Sequence, residues 1–543
     1  PDVTQHRGHR VLRGVSGGAG ISNFATPVVP FGTMHVVHNG QSLSVGAQSA
    51  DPGAPTQPFS NLKLFDSLGT ASGYLVANPQ AATLSLVTLT TPQRPTSPSG
   101  IYPENVLGNS AEVYMANQLT LMALQSGYRT FRIFASCTGL TATAMAGINK
   151  GNLPYTAGTY ECKVAAPGAG NGNLAAPFGT FGVLFTVLTH GEQDSINFAA
   201  AGTTDPNAYL TPLLALQANY QTDLRAIATP TVSWLPNVPM VLSQCNSSPG
   251  SLTGRAIVTQ AMNTAAISSP DLFIMACPKY QFPQTDGFHE SDYRPLGEKQ
   301  GQFGLKYLVE HYWAFKQGRS TNPLRWAPCR MTSVVRAGTA ITVNLNVPSP
   351  PLVVDTLTVS PVHQSGQWSM WSGGFGHEAW DSEVAITNAT NASPIVVTTG
   401  APHNRSSGDQ WAAEGVLGNT AANGVFYVQV TGANTVKLYS NSGLTTPVAG
   451  NGTYTASTGI GFSPITISGF AIVGNSIQFN LSRTPIGLVV AYAEHLDAAY
   501  STGGQNPPRG GNVRDSDRFV GRSNVTPQAR YANWECGFLQ AVA

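Results

Sequence analysis

The stretch "FGVLFTVLTHGEQDS", residues 181–195, decides how the chain is read. Its first nine residues are an unbroken apolar run rich in β-branched and aromatic side chains. A strand with one wet face alternates polar and apolar residues. A run without alternation is buried on both faces, as strands inside a parallel sheet are. The run stops at a polar turn, His190-Gly191-Glu192-Gln193-Asp194. Open α/β sheets bind their ligands beyond the carboxyl ends of their strands, so this turn is a candidate site.

Comparable apolar runs stand at 34–37, 130–136, 238–244 and 271–277. Helix-like stretches separate them at 110–127, 208–228 and 253–266, and a last one, 293–318, closes the region. The alternation predicts an α/β unit over 31–330, a parallel sheet covered by helices on both faces. Residues 1–30 read as a Gly-rich irregular segment. From about 330 the pattern becomes strand-like, as in "AITVNLNV" (340–347), "LVVDTLTVS" (352–360), "GNSIQFNLS" (474–482) and "IGLVVAYAEH" (486–495). This predicts an antiparallel β-sandwich accessory domain built from 331–383 and 462–543. The Thr/Val/Asn-rich segment 384–461 reads as a small inserted β domain whose ends lie close together.

Composition narrows the function. Only 10% of the 543 residues are charged, against a usual share of about a quarter, and the net charge is +1. No run of Lys or Arg is present, so a nucleic-acid groove is not expected. No stretch reaches the ~18 apolar residues of a membrane span. The chain opens without a signal-peptide pattern, as if trimmed. A neutral surface rich in amides and hydroxyls is compatible with carbohydrate. The six cysteines are scattered without a CxxC pair, so zinc is not expected and buried free thiols are favoured over disulfides.

Three further segments fall at strand ends or helix starts. "HVVHNGQSLSVGAQ" (35–48) places Ser42 in a Gly-containing turn after the first strand. "FPQTDGFHESDYRPLG" (282–297) places Asp286 and His289 three apart after the last strand. "ENVLGNSAEVYMANQL" (104–119) sets Gly108 just before a helix, where a backbone N–H can face an anion. Ester hydrolysis through a nucleophile needs a hydroxyl, a base, a group that orients the base, and donors for the oxyanion. Each segment alone has an ordinary structural reading as a turn or a cap. Together, in this order, they supply every part.

These blocks resemble those of the SGNH (GDSL-like) hydrolases, and among them the sialate O-acetylesterase-like carbohydrate esterases. That subgroup carries GQSN, where this chain has "GQSL" at 40–43; QGE(S/T)D, where it has "HGEQD" at 190–194; and DxxH, where it has "DGFH" at 286–289. The resemblance covers about residues 31–318. It implies an SGNH-type, flavodoxin-like three-layer sandwich with Ser42 as nucleophile, His289 as base and Asp286 as its orienter. It also implies an oxyanion hole from Ser42, Gly108 and a strand-end side chain. That side chain is Gln or Asn in the family and His190 here, with Gln193 or Asn109 as substitutes. Gln41, Glu192 and Asn109 are the expected substrate-binding residues, and no metal or cofactor is implied.

The C-terminal region resembles the β-rich parts that follow SGNH modules in phage tail fibres, tailspikes and prophage-encoded hydrolases. This implies a virion or extracellular setting, with other tail proteins or a homotrimer as partners, although no heptad repeat supports a coiled coil. The expectation is a serine esterase that removes O-acetyl groups from a bacterial surface polysaccharide. The rivals are a non-catalytic glycan-binding adhesin and a secreted acetylxylan-type esterase. Two other features stand apart. His35 and His38 flank the nucleophile strand without the carboxylate spacing of a metal site. "QWSMWSGGFGHEAW" (367–380) gathers three tryptophans, read first as sandwich core and second as a sugar-stacking platform.

Overall fold

The computed structural model describes residues 32–49, 57–66, 84–90, 109–125, 131–228, 237–246, 256–284, 289–316, 328–495, 509–523 and 531–543. The segment 1–30, Gly108 and Asp286 lie outside the described residues.

Among the described residues, seven strands form the first sheet. They are β1 (Thr33–Gly40), β2 (Leu62–Asp66), β3 (Leu84–Thr88), β4 (Ile133–Cys137), β5 (Phe181–Thr189), β6 (Met240–Gln244) and β7 (Phe273–Pro278). Their order is β3-β2-β4-β1-β5-β6-β7. Strands β4, β1, β5, β6 and β7 are mutually parallel. Numbered among themselves they run 2-1-3-4-5, the order of flavodoxin-like sheets. Every residue of β1, β5 and β7 is buried, which is why these runs carry no polar alternation. The β2–β3 hairpin, antiparallel and at the edge, did not announce itself in the sequence pattern.

Helices cover both faces. On one, α1 (Ala111–Gln125) packs against α7 (Arg294–Lys316). The approach is close: a Cβ on Gly297 would lie 2.2 Å from the carbonyl oxygen of Ala111, and one on Gly301 2.6 Å from that of Met115. The other face carries α3 (Leu153–Ala165), α5 (Asn207–Ile227) and α6 (Ile257–Ser268), while α2 (Met145–Ile148) and α4 (Glu192–Ala201) sit at the loops. Two separate apolar cores, one on each side of the sheet, complete three layers. Helix α3 was not anticipated. Its small residues hide the apolar stripe; Gly158 lies directly over Val37 of β1.

Beyond residue 328 the structure is β-rich. Four antiparallel strands run in the order Ile467–Val473, Ser476–Leu481, Ala340–Asn346, Arg330–Ala337. An eight-stranded sheet holds the remainder apart from the short pair Val353–Val354 and Val513–Arg514. The segment 384–461 has its own core around Trp411, Val428 and Leu438. Its strands are nonetheless continuous with the sandwich. The strand His377–Ala389 pairs with Leu488–Tyr492 through its first half and with Val396–Thr399 through its second. The segment enters and leaves side by side, Val384 facing Gly461.

One expectation is corrected here. The run 352–360 is a strand only at Val353–Val354. The Asp355 side chain accepts from the N–H groups of Leu357 and Thr358 and folds the chain into a turn. The tryptophans at 367–380 are sandwich core, the first of their two readings. Trp368 and Trp371 stack at 5.0 Å and, with Trp380, are buried in the sandwich core. All six cysteines are free and buried. No helix among the described residues is long and apolar enough to cross a membrane.

The C-terminal residues return to the α/β unit. Lys299 of α7 donates to Asn533 at 2.7 Å, Gln244 of β6 accepts from the Gly537 N–H, and Glu298 accepts from Ser523. The two units therefore share a polar, hydrogen-bonded interface.

Candidate active site

Strand β1 stands at the point where strand order reverses, so the turn after it opens at the sheet's carboxyl edge. Gly40 makes the turn possible. Its φ is 152°, and a Cβ there would lie 2.1 Å from the carbonyl oxygen of Thr189. The Gln41 N–H donates to that oxygen at 3.3 Å, the Ser44 N–H to Gln41 O at 2.9 Å, and the Ala47 N–H to Ser42 O at 3.0 Å. This winding lifts the Ser42 hydroxyl off the strand end. Ser42 is only 6% exposed, and its N–H donates to nothing among the described residues.

His289 arrives from the other side of the sheet. The loop after β7 is closed by a backbone bridge between Gln284 and Glu290. It carries the imidazole to Ser42, where Nε2 lies 2.8 Å from Oγ. Glu290, the next residue, is fully buried, and burial holds its carboxyl well above the usual range.

Asn109 joins the two loops, a role the sequence did not disclose. Its Oδ1 accepts from Ser49 Oγ at 2.7 Å, in the nucleophile turn, and from the Tyr293 N–H at 3.1 Å, in the base-bearing loop. Its Nδ2 donates to Asp292 at 2.9 Å. The Tyr293 hydroxyl completes the clasp by donating to Ala47 O at 3.0 Å. With both ends of its amide engaged, Asn109 is a strut. It was expected as a substrate contact or spare oxyanion donor, and the structure shows it instead bridging the two loops.

The "HGEQD" turn also differs from expectation. His190 is fully buried. Its Nε2 lies 2.9 Å from Thr143 O and its Nδ1 2.9 Å from the Tyr209 hydroxyl. A carbonyl only accepts, so Nε2 carries the proton and Nδ1 accepts from Tyr209. Burial favours this neutral form, against the opposing pull of nearby Asp194. No N–H of the ring remains for an oxyanion, which corrects the expected role. Glu192 is likewise no open substrate contact. It is buried in an ion pair with Lys279, from the end of β7. Burial opposes charge on both, but their mutual attraction outweighs it, holding Glu192 low and Lys279 high. A lone lysine closing an apolar run was the sequence sign of this pair. Gln193 turns its side chain outward to Asn197 at 3.0 Å. Gln41 is buried, and its Oε1 accepts from the Gln193 N–H at 3.2 Å.

His35 and His38 belong to the packing beneath the site. His35 stacks on Phe134 with centroids 4.5 Å apart and meets Ser136 Oγ at 2.6 Å. His38 meets Thr189 Oγ1 at 2.9 Å, and its other nitrogen lies 3.4 Å from Glu112.

No protein-family model matches the chain. No curated protein matches it either. Among solved structures it is similar to XAC1771, a carbohydrate acetylesterase from Xanthomonas citri, at 11% identity and a TM-score of 0.39, over 93% of this chain and 80% of that one. A protein from Arabidopsis thaliana is similar at 14% identity and a TM-score of 0.32, over 52% of this chain and 99% of that one. NanS is similar at 11% identity and a TM-score of 0.31, over 55% and 100%. All three likenesses are distant, and no residue role is carried over from them.

Proposed function

We propose that the chain is a serine esterase that removes O-acetyl groups from a carbohydrate. The observation that carries the reading is the 2.8 Å contact between Ser42 Oγ and His289 Nε2 at the carboxyl edge of the sheet, beside a backbone N–H with no partner among the described residues. Ser42 Oγ attacks the acetyl carbonyl while His289 Nε2 takes its proton. The carbonyl oxygen becomes an oxyanion facing the Ser42 N–H. The tetrahedral intermediate collapses, the sugar oxygen leaves, and His289 returns the proton to it. Water then attacks the acyl-enzyme with His289 again as base, releasing acetate and restoring Ser42. Asp286, from its D-x-x-H spacing, is the proposed orienter of His289, and Gly108 a second backbone donor.

The glycan substrate rests on the resemblance of the three blocks and on the neutral, amide-rich composition. A bacterial surface polysaccharide and a virion setting rest on the resemblance of the C-terminal region alone. The test is acetate release from a panel of O-acetylated bacterial and plant glycans, with Ser42→Ala as control. Release by the wild type and none by the variant is the expected result. Equal release by both would overturn the mechanism. Glycan binding without release from any ester would make the chain an adhesin.

A further inference from the structure

The family resemblance implies a side-chain donor beside the backbone N–H groups, and the three residues first expected to supply it already hold other partners. His190 spends both ring nitrogens on Thr143 and Tyr209. Asn109 commits one amide N–H to Asp292 while its oxygen is held by Ser49 and Tyr293, and Gln193 turns its amide outward to Asn197. We propose that the donor is the side-chain amide of Gln41, the residue before the nucleophile. This rests on the esterase reading above.

Gln41 is only 2% exposed. The Gln193 backbone N–H can only donate, so the amide atom facing it at 3.2 Å is the oxygen. That contact settles the orientation of the group. Its nitrogen is the other end, and it donates to nothing among the described residues. That nitrogen is not among the sealed polar atoms without a partner, so it keeps contact with solvent, and an open donor one residue from the nucleophile can take an acceptor. The Ser42 N–H, one peptide further along the same turn, is open in the same way. The two donors therefore belong to one rigid turn, held by Gly40 and by the Thr189 carbonyl.

The partner of Oε1 adds to the effect. Gln193 lies in the first turn of α4, where backbone N–H groups carry the positive end of the helix. An amide whose oxygen accepts there is polarised, and its N–H becomes a better donor. The acceptor is the carbonyl oxygen of the acetyl ester as it becomes an oxyanion. No proton moves to or from Gln41. The residue lowers the barrier by holding charge that exists only at and near the transition state. His190 instead holds the loop bearing Thr143 to α5 through Tyr209.

The test uses the full chain with Gln41→Glu and Gln41→Met. The glutamate keeps an acceptor for the Gln193 N–H but replaces the donor with a negative charge. The methionine is close in size and offers no donor. Both should lower kcat by about a hundred- to a thousandfold at nearly constant KM. Affinity for a boronic acid inhibitor that forms a tetrahedral adduct with Ser42 should fall with kcat/KM. Labelling of Ser42 by a fluorophosphonate in the wild type reports on the nucleophile itself. Wild-type kcat in both variants, or a change confined to KM, would overturn the assignment while the esterase reading stands. A wild type that hydrolyses no ester and leaves Ser42 unlabelled would overturn both.

Discussion

His289 Nε2 lies 2.8 Å from Ser42 Oγ, although 247 residues separate them in the chain. They meet because β1 and β7 lie in one parallel sheet and both end at the same edge. Ser42→Ala removes only the hydroxyl, so it should abolish acetate release and leave the thermal midpoint almost unchanged. Asp286→Asn should lower kcat by about ten-thousandfold through a misoriented imidazole. Steady-state kinetics beside a melting curve checks both. Near-normal turnover in the aspartate variant would remove Asp286 from the scheme.

The clasp at Asn109 makes a different prediction. Replacing it with Leu removes three hydrogen bonds and leaves Asp292, the Tyr293 N–H and Ser49 without that partner. A hydrogen bond contributes about 0.5–1.5 kcal/mol net, so the loss should amount to a few kcal/mol in denaturant titration. The variant should also lose kcat, because the two loops it joins carry Ser42 and His289. Unchanged kcat with unchanged stability would show that the clasp holds nothing.

The Lys279–Glu192 pair is fully enclosed, which sets the order of effects for its variants. Lys279→Met strands a buried carboxylate and should cost about 3–5 kcal/mol. Adding Glu192→Gln removes the stranded charge, so the double variant should be more stable than the lysine variant alone. A double-mutant cycle by urea denaturation measures this coupling. Additive losses would contradict it.

His495 predicts a pH dependence. Its ring sits among Trp368, Trp371, Trp380 and Phe462, with centroids 4.4 to 5.7 Å away. One nitrogen bonds Glu378 and the other lies 3.0 Å from Glu414. Arg509 and Glu494 belong to the same buried group, and His363 lies 3.3 Å from Glu378. Burial alone would lower the imidazolium pKa, but the Glu414 and Glu378 carboxylates outweigh it and push it up to about 9 from an ordinary 6.5. The folded state then binds the extra proton, so this stability is complete below pH 6.5 and is lost as pH rises towards 9. Lys299, lowered by burial to about 8, acts in the opposite sense only above that value. Glu290, whose carboxyl burial also raises, acts in the same sense as His495, so it is the difference between wild type and variant that reports on His495. Denaturant midpoints should fall from pH 6.5 to 8 in the wild type and stay flatter in His495→Gln.

Much of the architecture was legible because burial on both faces writes itself into composition. The runs at 181–189, 238–244 and 271–277 correspond to β5, β6 and β7, and the stretches at 110–127, 208–228 and 253–266 to α1, α5 and α6. The edge hairpin and α3 were hidden because edge strands and helices of small residues carry weak periodicity. The run 352–360 misled because one aspartate side chain outcompeted the strand ladder at Asp355.

At the site the division has one physical cause. Sequence alone determined which chemistry-bearing residues stand at strand ends, since a strand's length and burial are local properties. Whether each side chain points to the edge or into the packing depends on partners far along the chain. Thr143 and Tyr209 took His190 out of reach, Ser49, Tyr293 and Asp292 made Asn109 a bridge, and Gln193 oriented Gln41. Those hydrogen bonds exist only once the sheet has assembled, so tertiary structure alone decided them.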